Sequence, residues 1–352
     1  MMGWFCHSSY RQAQACRVIV TATFAFLLSL GQSAETINGS DTPTVLESDG
    51  VAAQNYSRQR NIEFAAASSH RLWIWEVRRG ANRLWIAGCL HLGTEFESHA
   101  FHAYLPYYNR ATAIYFEVMP GSWESPDVGT LFGHRGFAPD RRSLASRISP
   151  ESWREIQKVL RYDQILLNRI KPMEPWYASL TVSREGYRRA GLLREYGLDD
   201  YLEQRARADG KPVGALEKAQ DQVFAMADTN REDQERSLRS ALENYQTYDF
   251  GSEKIRRAWR TGNEALLRSV FGNERGAAIN DEMHVNLLAR RNEKWIRKIE
   301  SIIGSGRLAL VVVGVEHLIS EPSSLTSLLR AAGFTVERVG GPAPSRTTAV
   351  SR

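Results

Sequence analysis

The sequence predicts an α/β fold: a central mixed β-sheet with a long helical middle region. Three observations predict it. Runs of β-branched and aromatic residues occur in both halves of the chain, amphipathic segments lie between them, and in each half an apolar strand runs into a Gly-x-x-His motif. We expect the strands of both halves to join in one sheet.

Residues 1–34 have the pattern of a signal peptide. Arg11 and Arg17 precede the uncharged apolar run from Val18 to Leu30, and small or polar residues follow up to Ala34. The run is too short to cross roughly 30 Å of hydrocarbon comfortably, and no second uncharged apolar stretch of about 18 residues follows it. We therefore expect a periplasmic or secreted protein with no stable membrane span after cleavage.

The net charge and the positions of the cysteines limit the partners and covalent modifications that we expect. Removal of residues 1–34 takes away two of the 45 basic residues and none of the 40 acidic ones, so the net charge falls from +5 to +3. Paired arginines are scattered and mixed with acids, which argues against nucleic acid as a partner. Cys6 and Cys16 lie in the signal and neither follows the apolar run, so we expect no lipid-modified cysteine, and Cys89 is left without a disulfide partner.

The globular part begins near residue 61, after a polar lead-in over residues 35–60. The runs at 72–77 and 83–87, with Gly80 and Asn82 between them, predict a β-hairpin. An amphipathic helix over 98–110 and a third strand over 113–118 follow. Strand, helix and strand in this order favour a βαβ-like unit.

The middle of the chain, about 149–301, is helical in character. Ser149 and Pro150 followed by Glu151 are typical of a helix start. The charges of the later amphipathic segments are most simply solvated faces. We expect a single domain over 61–340 that carries this region as a helical insertion, and a loose tail over 341–352.

The run 308–313 is continuously apolar, which predicts a strand buried on both faces at the centre of the sheet. Gly314 ends it, and a helix over 323–332 and a strand over 334–339 follow. A glycine after a buried strand lets the chain turn sharply, so that a histidine three residues later lies at the carboxyl end of the sheet. Two such turns could bring His91 and His317 together, although a single Gly-x-x-His is as well explained by a capping or core histidine.

Several segments in a fixed order resemble the TraB/GumN family. The first covers Leu84 to Gly93 and contains Gly88-Cys89-Leu90-His91, and the second is the strand that ends Phe116-Glu117-Val118. The later ones are Gly197 to Leu202, Gly210 to Glu217 with Gln222 beyond it, Arg291-Asn292 with Trp295, and Val311 to Leu318, which contains Gly314-Val315-Glu316-His317. The resemblance covers about residues 70 to 340.

The resemblance implies an α/β protein related to the Tiki-type metalloproteases, in which two Gly-x-x-His motifs and a glutamate are the proposed catalytic elements. In this sequence these are His91, His317 and Glu117. Two positions depart from the family pattern: Cys89 stands where threonine is usual, and Glu316 stands where a small residue is usual. The first places an oxidisable thiol beside the site, and the second adds a carboxylate that is either a further ligand or solvent-facing.

Neutral imidazoles and a carboxylate suit a divalent metal ion with open coordination positions, which could activate water or polarise a carbonyl. The expected metal ligands are His91, Glu117, His317 and Glu217. Arg291 is the expected catalytic cation, holding an acidic partner or stabilising an oxyanion. We expect these groups to be oriented by hydrogen bonds from Asp199, Asn292 and Glu316, which would not bind the metal directly.

Three functions remain open at this point. The first is a metal-dependent, peptidase-like hydrolase acting on a peptide or protein. The second is a non-catalytic binding protein that uses the same pocket for a peptide, a glycan or a metal-containing ligand. The third is a metal-free hydrolase similar to the erythromycin esterases, with a histidine as base. The sequence contains no Gly-x-Ser-x-Gly, no Gly-x-x-x-x-Gly-Lys and no His-Glu-x-x-His, which argues against serine hydrolases, phosphate-loop proteins and helix-borne zinc proteases.

Overall fold

The structure is a computed structural model that describes residues 72–140, 142–245, 248–271 and 282–339. The expected signal peptide, the lead-in and the tail lie outside the described residues, as does the stretch 272–281 of the helical region. Within the described ranges, no helix is long and apolar enough to span a membrane.

A mixed six-stranded sheet forms the centre of the fold, in the order β4-β3-β5-β2-β1-β6. The strands β4, β3, β5 and β2 run parallel to one another, and at one edge β1 pairs antiparallel with both β2 and β6. Their bounds are β1 Ile74–Arg79, β2 Asn82–Cys89, β3 Ala113–Val118, β4 Val213–Glu217, β5 Ala309–Gly314 and β6 Thr335–Arg338. The predicted α/β fold with a mixed sheet and a helical middle is confirmed.

Strand β5 lies at the centre because all six of its residues are buried, as its unbroken apolar sequence predicts. It pairs with β2 on one side and β3 on the other. The strands β2 and β3 are therefore parallel, as in a βαβ unit, but they are not neighbours. The C-terminal strand inserts between them, so both halves of the chain contribute to one sheet.

The predicted hairpin is present, and β1 and β2 pair from Ile74 with Ala87 to Arg79 with Asn82. Gly80 takes a φ of +61° in the turn, a conformation that glycine reaches without steric cost. Asn82 belongs to β2 rather than to the loop.

Strand β4 is a parallel strand that the sequence pattern did not predict. It is short and contains Gly214. Its first three residues, which precede the buried Leu216, are only partly buried. A Cβ at Gly214 would lie 2.5 Å from the Tyr115 ring, so the glycine permits close packing of β4 on β3. Without apolar alternation the segment reads as loop.

Helices surround the sheet and fill the middle of the chain. Ser149 caps α4, as its sequence predicts, with its side chain accepting a hydrogen bond from the Ser152 amide. The predicted helix over 98–110 is divided into α1, a 3₁₀ helix at His99–Tyr104 and α2. The α-helices are α1 Glu95–Ser98, α2 Leu105–Arg110, α3 Pro126–Gly136, α4 Pro150–Val159, α5 Gln164–Ile170, α6 Pro175–Arg189, α7 Leu198–Ala208, α8 Ala219–Ala227, α9 Arg231–Asn244, α10 Tyr248–Arg260, α11 Glu264–Val270, α12 Glu282–His284, α13 Arg290–Gly304, α14 Glu316–Ile319 and α15 Leu325–Ala331.

The apolar side chains form two clusters. One surrounds the sheet and includes Trp85, Trp295 and the whole of β5 up to Val313. The other lies among the helices of the middle region, where α6 packs against α9, and includes Trp176. Val118, the last residue of β3, belongs to the second cluster. The carboxyl end of the sheet therefore lies where the two clusters adjoin.

Candidate functional site

The polar groups of the site collect at the carboxyl ends of β2, β3 and β5. Cys89 pairs with Gly314 at the ends of β2 and β5, and the amide of Val315 donates to the carbonyl of Cys89 over 2.9 Å. This bond ties the two turns together. The histidine that follows each turn then faces Glu117, the second-last residue of β3.

His91 is held through its Nδ1 atom. That atom lies 2.9 Å from Oδ2 of Asp199, in the first turn of α7, and the Leu198 amide donates to the carbonyl of Leu90 over 3.3 Å. A carboxylate can only accept, so Nδ1 carries a proton, and in the neutral form of the ring the lone pair is on Nε2. His91 Nε2 lies 3.4 Å from Oε1 of Glu117.

His317, in α14, has an equivalent arrangement. Its Nδ1 lies 2.7 Å from Oδ1 of Asn292, whose amide nitrogen donates to the carbonyls of His317 and Ser323 at 3.3 and 2.8 Å. Since the Asn292 amide hydrogens are used in this way, Oδ1 accepts and Nδ1 of His317 carries the proton. Nε2 of His317 therefore presents its lone pair, 3.8 Å from Oε1 of Glu117.

Glu117 joins the two histidines to a buried arginine. Its Oε1 accepts the amide of Gly314 at 2.7 Å, and its Oε2 accepts from Nη2 of Arg291 at 2.5 Å and from Nε2 of Gln222 at 3.2 Å. One carboxylate oxygen thus faces both histidines while the other pairs with a cation.

Arg291 connects Glu117 with Glu217. It donates to Oε1 of Glu217 at 2.8 Å from Nε, to the carbonyl of Leu287 at 2.8 Å from Nη1, and from Nη1 towards Nε2 of His317 at 3.2 Å. The π-helix Val285–Ala289 immediately precedes α13 and places Arg291 at its start. The Glu217 oxygens also accept from Gln222 and Trp295, at 2.8 and 3.1 Å. Both oxygens of Glu217 are therefore engaged with protein donors.

Burial and charge set the protonation of these groups. Burial opposes ionisation of Glu117, but the Arg291 cation outweighs it and holds the pKa of that carboxyl well below its usual range. Burial lowers the pKa of His317 well below its usual range, and the nearby Arg291 cation lowers it further. Burial also opposes a charge on His91, but Cys89 and Asp199 outweigh it and raise its pKa. The site thus holds an anionic carboxylate and a neutral His317.

Gly314 leaves a small space among these donors. A Cβ at this position would lie 3.0 Å from Nε2 of His91, 3.4 Å from Oε1 of Glu117 and 3.6 Å from Cδ2 of His317. Any side chain here would fill the point that the donors face. The glycine of the second Gly-x-x-His motif is therefore required for space as well as for the turn.

A metal ion could also be held on the other side of His91. Cys89, His91 and Asp199 are all buried, and one ligand atom from each lies within 4.8 Å of the others. Sγ of Cys89 is 3.6 Å from Nδ1 of His91. This group of three was not expected as a metal site from the sequence, although Cys89 and His91 share one motif.

The structure brings together seven of the eight expected site residues. These are His91, Glu117, Asp199, Glu217, Arg291, Asn292 and His317. The eighth, Glu316, is buried and turned aside, 4.0 Å from Nδ1 of His284. Burial raises the pKa of Glu316 to about 8 and lowers the pKa of His284 to about 4. Glu316 therefore does not face solvent.

Three residues at or beside the site were not assigned to it from the sequence: Gln222, Trp295 and His284. Gln222 and Trp295 fall within the family-like segments, and both donate to Glu217. Gln222 would have been found had β4 been predicted, because it lies one helical turn into α8, directly after that strand. No sequence signal indicates His284.

The comparisons with known proteins agree with this arrangement of segments. The sequence model of the TraB/PrgY/gumN family matches residues 73–338. The chain is 24% identical over 279 residues to a protein of Escherichia coli (strain K12) described as "Uncharacterized protein YbaP", a match that covers 78% of this chain and 98% of the relative. No solved structure matches the chain.

Proposed function

The chain belongs to the TraB/PrgY/gumN family, and on that premise we propose that it is a metal-dependent hydrolase that cleaves peptide bonds of a peptide or protein outside the cytoplasm. One observation supports this above the others: the Nε2 atoms of His91 and His317 both face Oε1 of Glu117, at 3.4 and 3.8 Å. Donor atoms that share a first-row metal ion at about 2.0–2.2 Å lie about 3.3 Å apart when its coordination is tetrahedral.

The donor types suit such an ion, but among the described residues the ligand atoms of His91, Glu117 and His317 do not all lie within 4.8 Å of one another, so the two rings have to approach each other to share it. The space beside Gly314 is bordered by the three donors, and Asp199 and Asn292 hold Nδ1 of each ring so that Nε2 is the atom turned towards that space. Metal-bound histidines are commonly oriented in this way, by a carboxylate or carbonyl on the second ring nitrogen. Nη1 of Arg291 must yield the lone pair of His317 when the ion binds.

His91, His317 and Glu117 would hold the ion, which supplies a Lewis acid that polarises a carbonyl and lowers the pKa of a bound water. Arg291 keeps Glu117 anionic and adds positive charge beside the reacting carbonyl, where an oxyanion would develop. Glu217 would hold Arg291 in place, because its Oε1 accepts from Nε of Arg291 while its Oε2 accepts from Trp295.

The site is closed to solvent, with His91 and Glu117 exposed by 2% and 3% and His317 fully buried. A metal ion can enter such a site with small side-chain movements, whereas a peptide needs the surrounding helices to separate. We therefore expect hydrolysis to require an opening movement before the substrate binds.

A second candidate is a metal-free hydrolase, and the contact between Arg291 and His317 favours it. Nη1 of Arg291 already donates to the Nε2 lone pair that a metal would need, at 3.2 Å. In this alternative His91, paired with Asp199 and with a raised pKa, would act as the acid or base.

The test combines metal content with turnover. The purified protein is measured for bound metal and screened against a peptide library, beside His91→Ala, His317→Ala and, as a matched control, His134→Ala in α3, whose side chain is outside the site. We expect metal and activity in the wild type and the control and neither in the two site variants. Activity that persists after complete metal removal would favour the metal-free hydrolase. Stable metal or ligand binding without turnover would favour a binding protein, and activity indifferent to both site substitutions would refute the site.

A further inference from the structure

We infer that Cys89, Nδ1 of His91 and Asp199 form a second metal site, selective for thiophilic ions, and that this site excludes occupation of the site at Nε2 of the same histidine. The two sites lie on opposite edges of one imidazole ring. If the two sites exclude each other, an ion at the second site inhibits catalysis, and this consequence rests on the proposed function.

The distances suit a metal bound by sulfur and nitrogen. Sγ of Cys89 lies 3.6 Å from Nδ1 of His91. A tetrahedral zinc ion with bonds of about 2.3 Å to sulfur and about 2.05 Å to nitrogen separates those two atoms by about 3.6 Å. Oδ2 of Asp199 lies 2.9 Å from Nδ1 and has to move outwards by about 0.4 Å to reach tetrahedral spacing.

Besides Oδ2, Asp199 has a second oxygen, Oδ1, that such an ion would also attract. It is only 3% exposed, and within the part of the chain that the structure describes its Oδ1 has no hydrogen-bond partner. A buried carboxylate oxygen without a partner is costly, and coordination of a cation removes that cost.

The thiol gives the site its selectivity. Cys89 stands where threonine is usual in the resembling family, so the hydroxyl of that pattern is replaced here by a soft ligand that prefers ions such as Cd²⁺ and Zn²⁺. Burial raises the pKa of Cys89 to about 12, which keeps the free thiol protonated and unreactive. A bound ion replaces the thiol proton, which is released to solvent.

The single imidazole links the two sites. In the neutral ring, which is the form that binds a metal ion, the proton lies on Nδ1 and is donated to Asp199, and Nε2 lies 3.4 Å from Oε1 of Glu117. When an ion takes Nδ1, the ring proton is carried by Nε2 and points at the same Glu117 oxygen. No proton is lost from the ring, and the Nε2 lone pair is no longer available to the other ion. Occupation of one site therefore empties the other.

Cd²⁺ titration followed by ultraviolet sulfur-to-metal charge-transfer absorption tests the site without relying on activity. The background is Cys6→Ser/Cys16→Ser, so that Cys89 is the one remaining thiol. In this protein we expect a charge-transfer band that saturates at one Cd²⁺ per chain. His317→Gln, which damages only the Nε2 site, should keep the band. Cys89→Ser and Cys89→Thr, checked for folding by circular dichroism, should lose it.

Absence of the band in the background protein, or its loss in His317→Gln but not in Cys89→Thr, would overturn the inference.

Inhibition of hydrolysis by Cd²⁺ tests whether the two sites exclude each other. Cd²⁺ should inhibit peptide hydrolysis in competition with the catalytic metal, and Cys89→Thr should weaken that inhibition by about tenfold or more. A saturating band in a protein without hydrolase activity would refute the proposed function and leave this site standing. Activity without a band would refute this site alone.

Discussion

At the scale of single residues, the site depends on which ring nitrogen of each histidine carries the proton. Asp199 and Asn292 accept the hydrogen bonds that Nδ1 of His91 and of His317 donate, so both Nε2 atoms face one oxygen of Glu117. Neither partner could be paired with its histidine from the sequence, because 108 and 25 residues separate them along the chain. The family-like segments indicated the residues but not the contacts.

Asp199→Asn should weaken metal binding by about 10–100-fold, because an amide no longer stabilises positive charge on the His91 ring and can present a donor to Nδ1. Titration with Mn²⁺, which avoids the thiol of Cys89, measures the effect. Asp200→Asn on the same turn of α7 is the control, since Asp200 contacts Arg194 and Gln204 rather than His91. Equal affinities of the two variants would show that Asp199 does not orient His91.

Gly314→Ala should abolish metal binding with little loss of folding stability. The added methyl would lie 3.0 Å from Nε2 of His91 and 3.4 Å from Oε1 of Glu117, in the space that the ion needs. Gly133→Ala, on the exposed face of α3 with nothing within 4 Å of its added Cβ, should bind metal normally and gain about 0.5–1 kcal/mol of stability. Metal binding by Gly314→Ala with wild-type affinity would place the ion elsewhere.

At the scale of elements, the sequence predicted the strands that have a local apolar pattern. It missed β4, whose burial depends on packing against a neighbouring strand. The continuous apolar run 308–313 predicted the central strand β5, and the hairpin and the Ser149 cap have local signals. Strand β4 depends on packing that no local pattern reports: Gly214 fits beneath Tyr115 only once β3 is beside it. Glu217, at the end of β4, was therefore expected as a ligand, with no sign that it would be held against Arg291.

Gly88→Ala should destabilise the fold by about 1–3 kcal/mol, because its methyl would approach Cδ1 of Leu318 and Cγ2 of Val315 to 3.0 Å and press the second turn away from β2. The free energy of unfolding in urea measures this loss. Gly304→Ala, at the end of α13 with no atom within 4 Å of the new Cβ, is the control and should cost less. Equal stabilities would mean that β2 and α14 are not tightly packed.

At the scale of the whole molecule, buried ionisable groups lie between the two apolar clusters. The free energy needed to bury them makes the stability of the fold depend on pH. His284 is 7% exposed, and burial lowers its pKa from 6.5 to about 4. The unfolded chain binds a proton on this ring below about pH 6.5, whereas the folded protein binds it only near pH 4. The stability that neutral His284 maintains is thus complete above pH 6.5 and is lost as the pH falls towards 4.

Between about pH 7 and about pH 5 the wild type should lose stability because the unfolded chain binds a proton on His284. The variant His284→Asn lacks this group and should lose about 2 kcal/mol less over the same pH range. Urea unfolding at a series of pH values measures the difference between the two proteins. Glu316, which faces His284 at 4.0 Å, is present in both, and its pKa of about 8 keeps it largely neutral over this range. Parallel stability curves would show that His284 does not titrate on unfolding.

The order of the segments along the chain was enough to predict the family and the place of the site. It could not predict how closed the site is or that Arg291 lies between two glutamates and His317, since those facts arise from helices that pack from the middle of the chain. The expected signal peptide and export stay predictions.

The central claim is that one metal ion is shared by the two Gly-x-x-His motifs and Glu117. An anomalous difference map from crystals of the purified protein loaded with Mn²⁺, an ion that avoids thiolate ligands, tests it most directly. We expect one peak within about 2.0–2.3 Å of Nε2 of His91, Nε2 of His317 and Oε1 of Glu117. A map with no peak at this point, or with a peak that touches only one of the two histidines, would contradict it.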